Sequence, residues 1–391
     1  MRLFPRSSRI LALALLVTLV PFRSSNGQGK DKGDDVHFDT ADGVKIEGTF
    51  WAAKDGKKSP VALLLHDFTA KGGTSHDDGW DSLAAALNKQ GYAVLQFDFR
   101  GYGKSTTISN PMFWSQPHNR TGLRGLNPLK PPESLDKATF AAHYYPNLVN
   151  DVVAARAFLD RKNDSGELNT SNLIVIGAGH GATVGALWLA SECHRKHGMP
   201  PGAAVGPVLD PRLIKWDMNY ECKDVRAAIW LSISPSINSS NGLPVRDWFL
   251  EAAGKTNKVP TVFLFGKEDK AGDERALNYM RALVPDYARG KPVKDYPLSG
   301  EKGIDKAGDK LAGSKLLQKA LDTENWIVNA YLADEDMKKS LKEEWRDRDS
   351  AKSKQYWLFP GLSPAALPTV VPAKSEGDLM IVPLGRFRVP G

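Results

Sequence analysis

Short apolar runs and amphipathic stretches take turns along the chain from residue 44 onward. Val44, Ile46 and Phe50 fall on one side of an extended segment and Lys45, Glu47 and Thr49 on the other, after the turn Asp42-Gly43. That alternation predicts a half-exposed strand over Val44 to Phe50. Val61 to Leu65 and Tyr92 to Phe97 are short apolar runs. Between them Trp80, Leu83, Ala84 and Leu87 recur at helical spacing in Asp78 to Gln90, giving strand, helix, strand. The same reading predicts helices over Leu148 to Leu159, Thr183 to Ala190, Glu274 to Leu283 and Leu316 to Leu332. It places strands at Leu173 to Ile176, Ala227 to Ile233, Val262 to Phe265 and Val293 to Tyr296. Buried strands alternating with helices make a mostly parallel sheet covered on both faces, whose functional loops gather at the carboxyl ends of the strands.

Two segments break the rhythm. Thr106 to Pro146 holds Phe113, Trp114, Tyr144 and Tyr145 among six prolines and two glycines. It is too long for an ordinary connection and reads either as an insertion over the working edge of the sheet or as a plain surface excursion. The second is residues 334–391: a charged helix candidate over Asp334 to Lys354, then a proline-punctuated tail from Tyr356 to Gly391.

The first residues read as an export signal. A basic start precedes an apolar run from Ile10 to Val20, and Ser25 and Gly27 suit cleavage before Gln28. As a helix that run spans about 16 Å, half of a bilayer core of about 30 Å. The predicted organisation is therefore a signal over 1–27, a polar linker over 28–35, the main domain over 36–333 and the tail. Export also changes the meaning of the charge. Arg2, Arg6, Arg9 and Arg23 leave with the signal, so the formal +7 becomes 7 − 4 = +3, too small a surplus to call for nucleic acid. No transmembrane helix is expected in the mature chain, which is placed outside the cytoplasm, secreted or periplasmic. An oxidising compartment lets Cys193 and Cys222 pair, although spacing alone leaves two separate buried thiols equally open.

Three strings fall at predicted strand ends: Leu65-His66-Asp67-Phe68, then Asp98-Phe99-Arg100-Gly101-Tyr102-Gly103-Lys104-Ser105, then Gly177-Ala178-Gly179-His180-Gly181 between a strand and a helix. In this order the chain resembles the α/β-hydrolase superfamily, in particular its serine aminopeptidase, lysophospholipase and dienelactone-hydrolase-like branch, over His37 to Leu332. The resemblance implies an α/β-hydrolase fold with an insertion and a C-terminal extension. It also implies that the third string is the nucleophile elbow G-x-S-x-G, a strained turn that presents a serine above the sheet. Gly177 and Gly181 match the flanking glycines, but Gly179 stands in the nucleophile's place. His180 follows at the position whose N–H serves the oxyanion hole, and Phe68 matches the other donor, after His66-Asp67 where the family has His-Gly.

The acid of this family follows a late strand in a G-x-x-D pattern, which Gly266-Lys267-Glu268-Asp269 matches, so Asp269 is the acid-position candidate. The base should lie beyond it, yet all eight histidines, at 37, 66, 76, 118, 143, 180, 194 and 197, precede Asp269. Lys302 or Glu301 occupies the expected base loop. A triad without nucleophile and base loses several orders of magnitude in rate. The expectation is an inactive hydrolase-like module that binds a small ligand or a cell-envelope partner, with no cofactor and no metal.

Three other readings compete. An ester- or amide-cleaving hydrolase could use a displaced site drawn from Ser105, Ser234, Thr183 and His180, although each of the three hydroxyls has a structural reading: Ser105 closes a turn, Ser234 precedes Pro235, and Thr183 caps a helix start. His194 and His197 stand at i, i+3 near Glu192, but one short pair without a third ligand reads as a solvated helix end, and His76, Asp77 and Asp78 read as the acid-rich start of a helix. Asp98 and Arg100 read as pins of their turn. An interaction module working through the tail is the third alternative.

Overall fold

The computed structural model describes residues 32–125, 127, 130–192, 221–238, 242–253, 259–289, 300–304, 316, 332 and 335–348. Contacts divide the chain into Met1–Asp31 and Lys32–Gly391, and every described residue belongs to the second unit. Its centre is an eight-stranded sheet: β1 (Asp34–Asp39), β2 (Lys45–Trp51), β3 (Val61–Leu65), β4 (Ala93–Phe97), β5 (Leu173–Ala178), β6 (Val225–Leu231), β7 (Thr261–Gly266) and β8 (Gly300–Ile304). The spatial order is β1-β2-β4-β3-β5-β6-β7-β8. β1 and β2 run antiparallel, β2 is antiparallel to β4, and every other pair is parallel.

The helices are α1 (Trp80–Lys89), α2 (Pro117–Gly122), α3 (Val149–Asp164), α4 (Gly179–Glu192), α5 (Val245–Ala253), α6 (Lys270–Leu283) and α7 (Glu335–Ser340). Strict two-residue alternation assigns them to faces. Val61, Leu63, Leu65, Leu95 and Val175 pack with α3 to α6, while Ala62, Leu64, Val94, Ile174 and Ile229 pack with α1, Leu316, Leu332 and Met337. Both faces are buried, so β3 is apolar at every position and β4 at every position but Gln96, whose amide donates to Asp81.

The sequence reading placed the central strands within one or two residues of their observed bounds. It missed β1, because Asp34 and Asp35 looked like linker; the strand forms by pairing its whole length with β2, from Asp34 opposite Phe50 to Asp39 opposite Lys45. The strand expected at Val293 to Tyr296 lies outside the described residues, as does nearly all of the helix expected over Leu316 to Leu332. The charged helix of the tail is short, ending at Ser340. After it, residues 341–348 form a strap without helix, because their backbone is bound from the side. Asn169 and Asn172 donate to Glu343 O at 2.8 and 2.9 Å, Asn163 donates to Arg346 O at 2.9 Å, and Trp345 Nε1 donates back to Asn163 O at 3.0 Å. Arg346 and Arg348 both reach the buried Asp224, at 2.7 and 2.6 Å, which Arg156 also contacts at 3.0 Å. Burial acts to raise the Asp224 carboxyl, but the three guanidinium groups outweigh it and hold the group well below the usual carboxylate range.

Cys222 is buried and disulfide-bonded; the sequence holds one other cysteine, Cys193, outside the described residues. No helix among the described residues is long and apolar enough to cross a membrane.

Candidate functional site

The carboxyl ends of β3, β4 and β5 meet at one edge of the sheet. The string after β4 is a folded pin. Asp98 Oδ1 accepts from Ser75 N and Ser75 Oγ, both at 2.8 Å, and Oδ2 accepts from Lys104 N at 2.9 Å. Arg100 is fully buried and donates to Asp42 through Nη1 at 2.7 Å and to Asp151 through Nε at 2.7 Å. Ser105 Oγ accepts from Glu47 N at 2.9 Å and is spent on β2, while its backbone closes the turn, Gly101 N donating to Ser105 O at 2.8 Å and Ser105 N to Tyr102 O at 2.9 Å. The insertion locks onto this pin. Tyr144 and Asn119 join the Arg100 network, Tyr144 Oη donating to Asn119 Oδ1 at 2.9 Å, and Phe113, Leu123, Phe140, Tyr144 and Tyr145 are buried in the main core. Thr106 to Pro146 is therefore an integral part of the domain.

Gly179 sits at the junction of β5 and α4 with a φ of +52°, the left-handed region that a strained elbow requires. Two residues later, Gly181 lies so close to β3 that an added Cβ would overlap His66 O and come within 2.9 Å of Leu65 O. Strand and helix thus make the close approach of a nucleophile elbow, with no side chain at its apex.

The space above the apex is filled by Asp67. Its Oδ1 accepts from Phe68 N and from His180 N, both at 2.9 Å. A Cβ at position 179 would overlap this carboxylate, whose farther oxygen would stand at 2.6 Å. The two N–H groups expected to line an oxyanion hole are thus together, and they already hold a negatively charged oxygen. Phe68, 1% exposed, packs against Phe99 and Tyr102 with centroids 5.0 Å away in each case. His180 Nδ1 donates to Phe68 O at 2.7 Å and lies 3.4 Å from Asp67 Oδ1, which fixes the tautomer and leaves Nε2 as the lone-pair nitrogen. His66 is buried beside them. Its Nδ1 donates to Asp67 O at 2.7 Å and its Nε2 accepts from Phe99 N at 3.2 Å, and burial lowers its pKa despite the neighbouring acids.

The remaining predicted positions do not join the elbow. Asp269 is the N-cap of α6: its Oδ1 accepts from Gly272 N at 2.9 Å, and Arg275 stands 3.9 Å from Oδ2. Among the described residues no hydrogen bond ties it to Gly179, His180 or Asp67. Lys302 was expected in a loop, but it lies inside β8, paired with Leu264 of β7. Residues 305–315, which follow β8, lie outside the described residues, and the sequence has no histidine after His197. Thr183 does not cap α4; its Oγ1 donates to Ser234 O at 2.7 Å and to Gly179 O at 3.2 Å, bracing the elbow from within the helix. Ser234 N donates to Gly179 O at 3.2 Å. Glu192 is buried in α4 beside Arg156, at 4.0 Å from its Nε, and His194 and His197 lie outside the described residues. His76 Nδ1 pairs with Asp81 at 2.8 Å. Among the described residues no group of three His, Cys, Asp or Glu side chains is arranged to hold a metal ion.

Sequence reasoning missed Asp67. The available signal was the aspartate in the His-Gly pair of the first string, but a propensity or spacing argument gives no reason for that side chain to reach a turn 113 residues further along.

The profile described as "Alpha/beta hydrolase family" matches residues 62–300. A comparison with curated protein sequences finds no match. Similar solved structures include an esterase of Pyrococcus furiosus (15% identity, 77% of this chain and 90% of that one, TM-score 0.46). A dienelactone hydrolase of Anabaena variabilis (12%, 77% and 98%, TM-score 0.43) and a thermostable carboxylesterase from a metagenomic library (13%, 80% and 90%, TM-score 0.44) are also similar. With a profile match over more than half of its length, an eight-stranded sheet in this order and an elbow between β5 and α4, the chain belongs to the alpha/beta hydrolase family.

Proposed function

We propose that this member of the family is an exported pseudohydrolase: a protein that keeps the hydrolase frame for binding or structural work and does not cleave esters or amides by the serine mechanism. The observation that carries the reading is the elbow apex, where the strained turn is kept at a φ of +52° and the residue in it is glycine. A serine hydrolase needs an oxygen at that point and a histidine within hydrogen-bond reach to take its proton. Asp269, the acid-position residue, is engaged as a helix cap, and the segment in which the base would follow contains no histidine. The work left to such a frame is recognition of a small ligand or of a partner in the cell envelope, with the signal over 1–27 and the bonded Cys222 both suited to an oxidising compartment.

One observation favours a second reading, a hydrolase with a rearranged site. His180 is held by Phe68 O and Asp67 in the tautomer that leaves Nε2 basic, so a water-activating role is chemically available to it. The purified mature chain separates the two when offered short-chain p-nitrophenyl esters and aminoacyl p-nitroanilides. The pseudohydrolase reading expects rates at the buffer level and no labelling by a fluorophosphonate. Turnover that follows the protein through purification and disappears in His180→Ala would overturn it.

A further inference from the structure

We propose that Asp67 is the resident anion of the elbow: its carboxylate occupies the oxyanion hole of the hydrolase frame and closes that hole to carboxylate, phosphate and tetrahedral acyl ligands. The two donors come from different parts of the fold, Phe68 N after β3 and His180 N in the first turn of α4, and converge at 2.9 Å each on the single atom Oδ1. Two N–H groups aimed at one point, one of them at the positive end of the 14-residue α4, make a receptor for one negatively charged oxygen. Asp67 supplies that oxygen permanently. An incoming oxyanion would meet both an occupied site and a like charge.

The occupant depends on the glycine beneath it. Any Cβ at position 179 would overlap the Asp67 carboxylate, so the loss of a side chain at the apex and the gain of one before Phe68 form a single steric unit. His180 closes the arrangement from the side. Its ring donates to Phe68 O at 2.7 Å and lies 5.8 Å from the Phe68 ring, which ties the Phe68 backbone to the start of α4. This specificity role follows from the contacts of Asp67 alone and holds whether or not the chain hydrolyses anything.

The test restores the missing group from solution. In full-length mature Asp67→Ala, sodium formate replaces the excised carboxylate, and the thermal midpoint is followed against sodium chloride at equal ionic strength. Formate is expected to raise the midpoint of Asp67→Ala saturably, while the wild type and Asp67→Asn, which keeps an acceptor on the same N–H pair, follow the chloride control. Equal formate responses in Asp67→Ala and the wild type would overturn the proposal. If Asp67→Ala does not fold, amide hydrogen exchange at His180 decides: exchange about tenfold faster in Asp67→Asn than in the wild type is expected for the loss of a charged acceptor, and unchanged exchange overturns the proposal. Neither readout involves hydrolysis, so failure here and failure of the pseudohydrolase reading are distinguishable.

Discussion

Returning a serine to the elbow would test how tightly Gly179 and Asp67 are coupled. Gly179→Ser first pays for a left-handed φ of +52°, about 1–2 kcal/mol for an L-residue. Its Cβ must then displace the Asp67 carboxylate, which breaks two hydrogen bonds to a charged acceptor. Such bonds contribute about 1.5–3 kcal/mol each. The Asp67 side chain is 24% exposed and recovers part of that in water, so about 2–3 kcal/mol for the pair is the reasonable figure. Gly179→Ser should therefore cost about 3–5 kcal/mol and Asp67→Ala about 2–3 kcal/mol. In the double variant the carboxylate is already gone and the serine pays only for its backbone, so the combined cost stays near 3–5 kcal/mol and the coupling is about 2–3 kcal/mol. Urea unfolding of the four proteins at neutral pH, followed by circular dichroism, measures each value. Additivity within about 0.5 kcal/mol would refute the steric unit, because it would mean that Asp67 leaves the hole without loss.

Other consequences concern the strap, acid stability and the disulfide. Replacing Arg346 and Arg348 together by alanine strips Asp224 of two guanidinium partners and should cost about 3 kcal/mol in urea titrations. Asp224 has a depressed pKa, so its contribution is complete above the unfolded value of about 3.9 and is lost as the pH falls below it; Asp224→Asn should flatten the fall in urea midpoint in that acid window. His66 titrates in the opposite chemical sense but with the same direction of loss. Its lowered pKa keeps the ring neutral in the fold, so stability is complete above about pH 6.5 and declines below it, and His66→Gln should remove that slope. Reduction of the bond at Cys222 should lower stability by about 3–4 kcal/mol, read from urea midpoints with and without reductant, and peptide mapping should find Cys193 as its partner.

The sheet was legible because its central strands are buried on both faces and so are mostly apolar; Val61 to Leu65 was located to the residue. The order of the three strings led to Gly179 at the turn between β5 and α4 and to Phe68 and His180, whose N–H groups the structure brings together, and no histidine follows Asp269 in the sequence. Local pattern failed where partners are distant. β1 was hidden because its identity as a strand comes from β2, and the strap over 341–348 was hidden because asparagines almost two hundred residues earlier bind its carbonyls. Lys302 was assigned to a loop because a polar, glycine-flanked pentapeptide gives no strand signal by itself; its pairing with β7 decides.

What the sequence determined by itself is that position 179 is glycine and that no histidine follows His197, both of them facts of residue order. What the elbow contains was decided only by the tertiary structure. The carboxylate of Asp67 acquires its meaning from two N–H groups and a Cβ-free apex that meet in space across 113 residues of chain, and a hydrogen bond with angstrom tolerance leaves no trace in local periodicity.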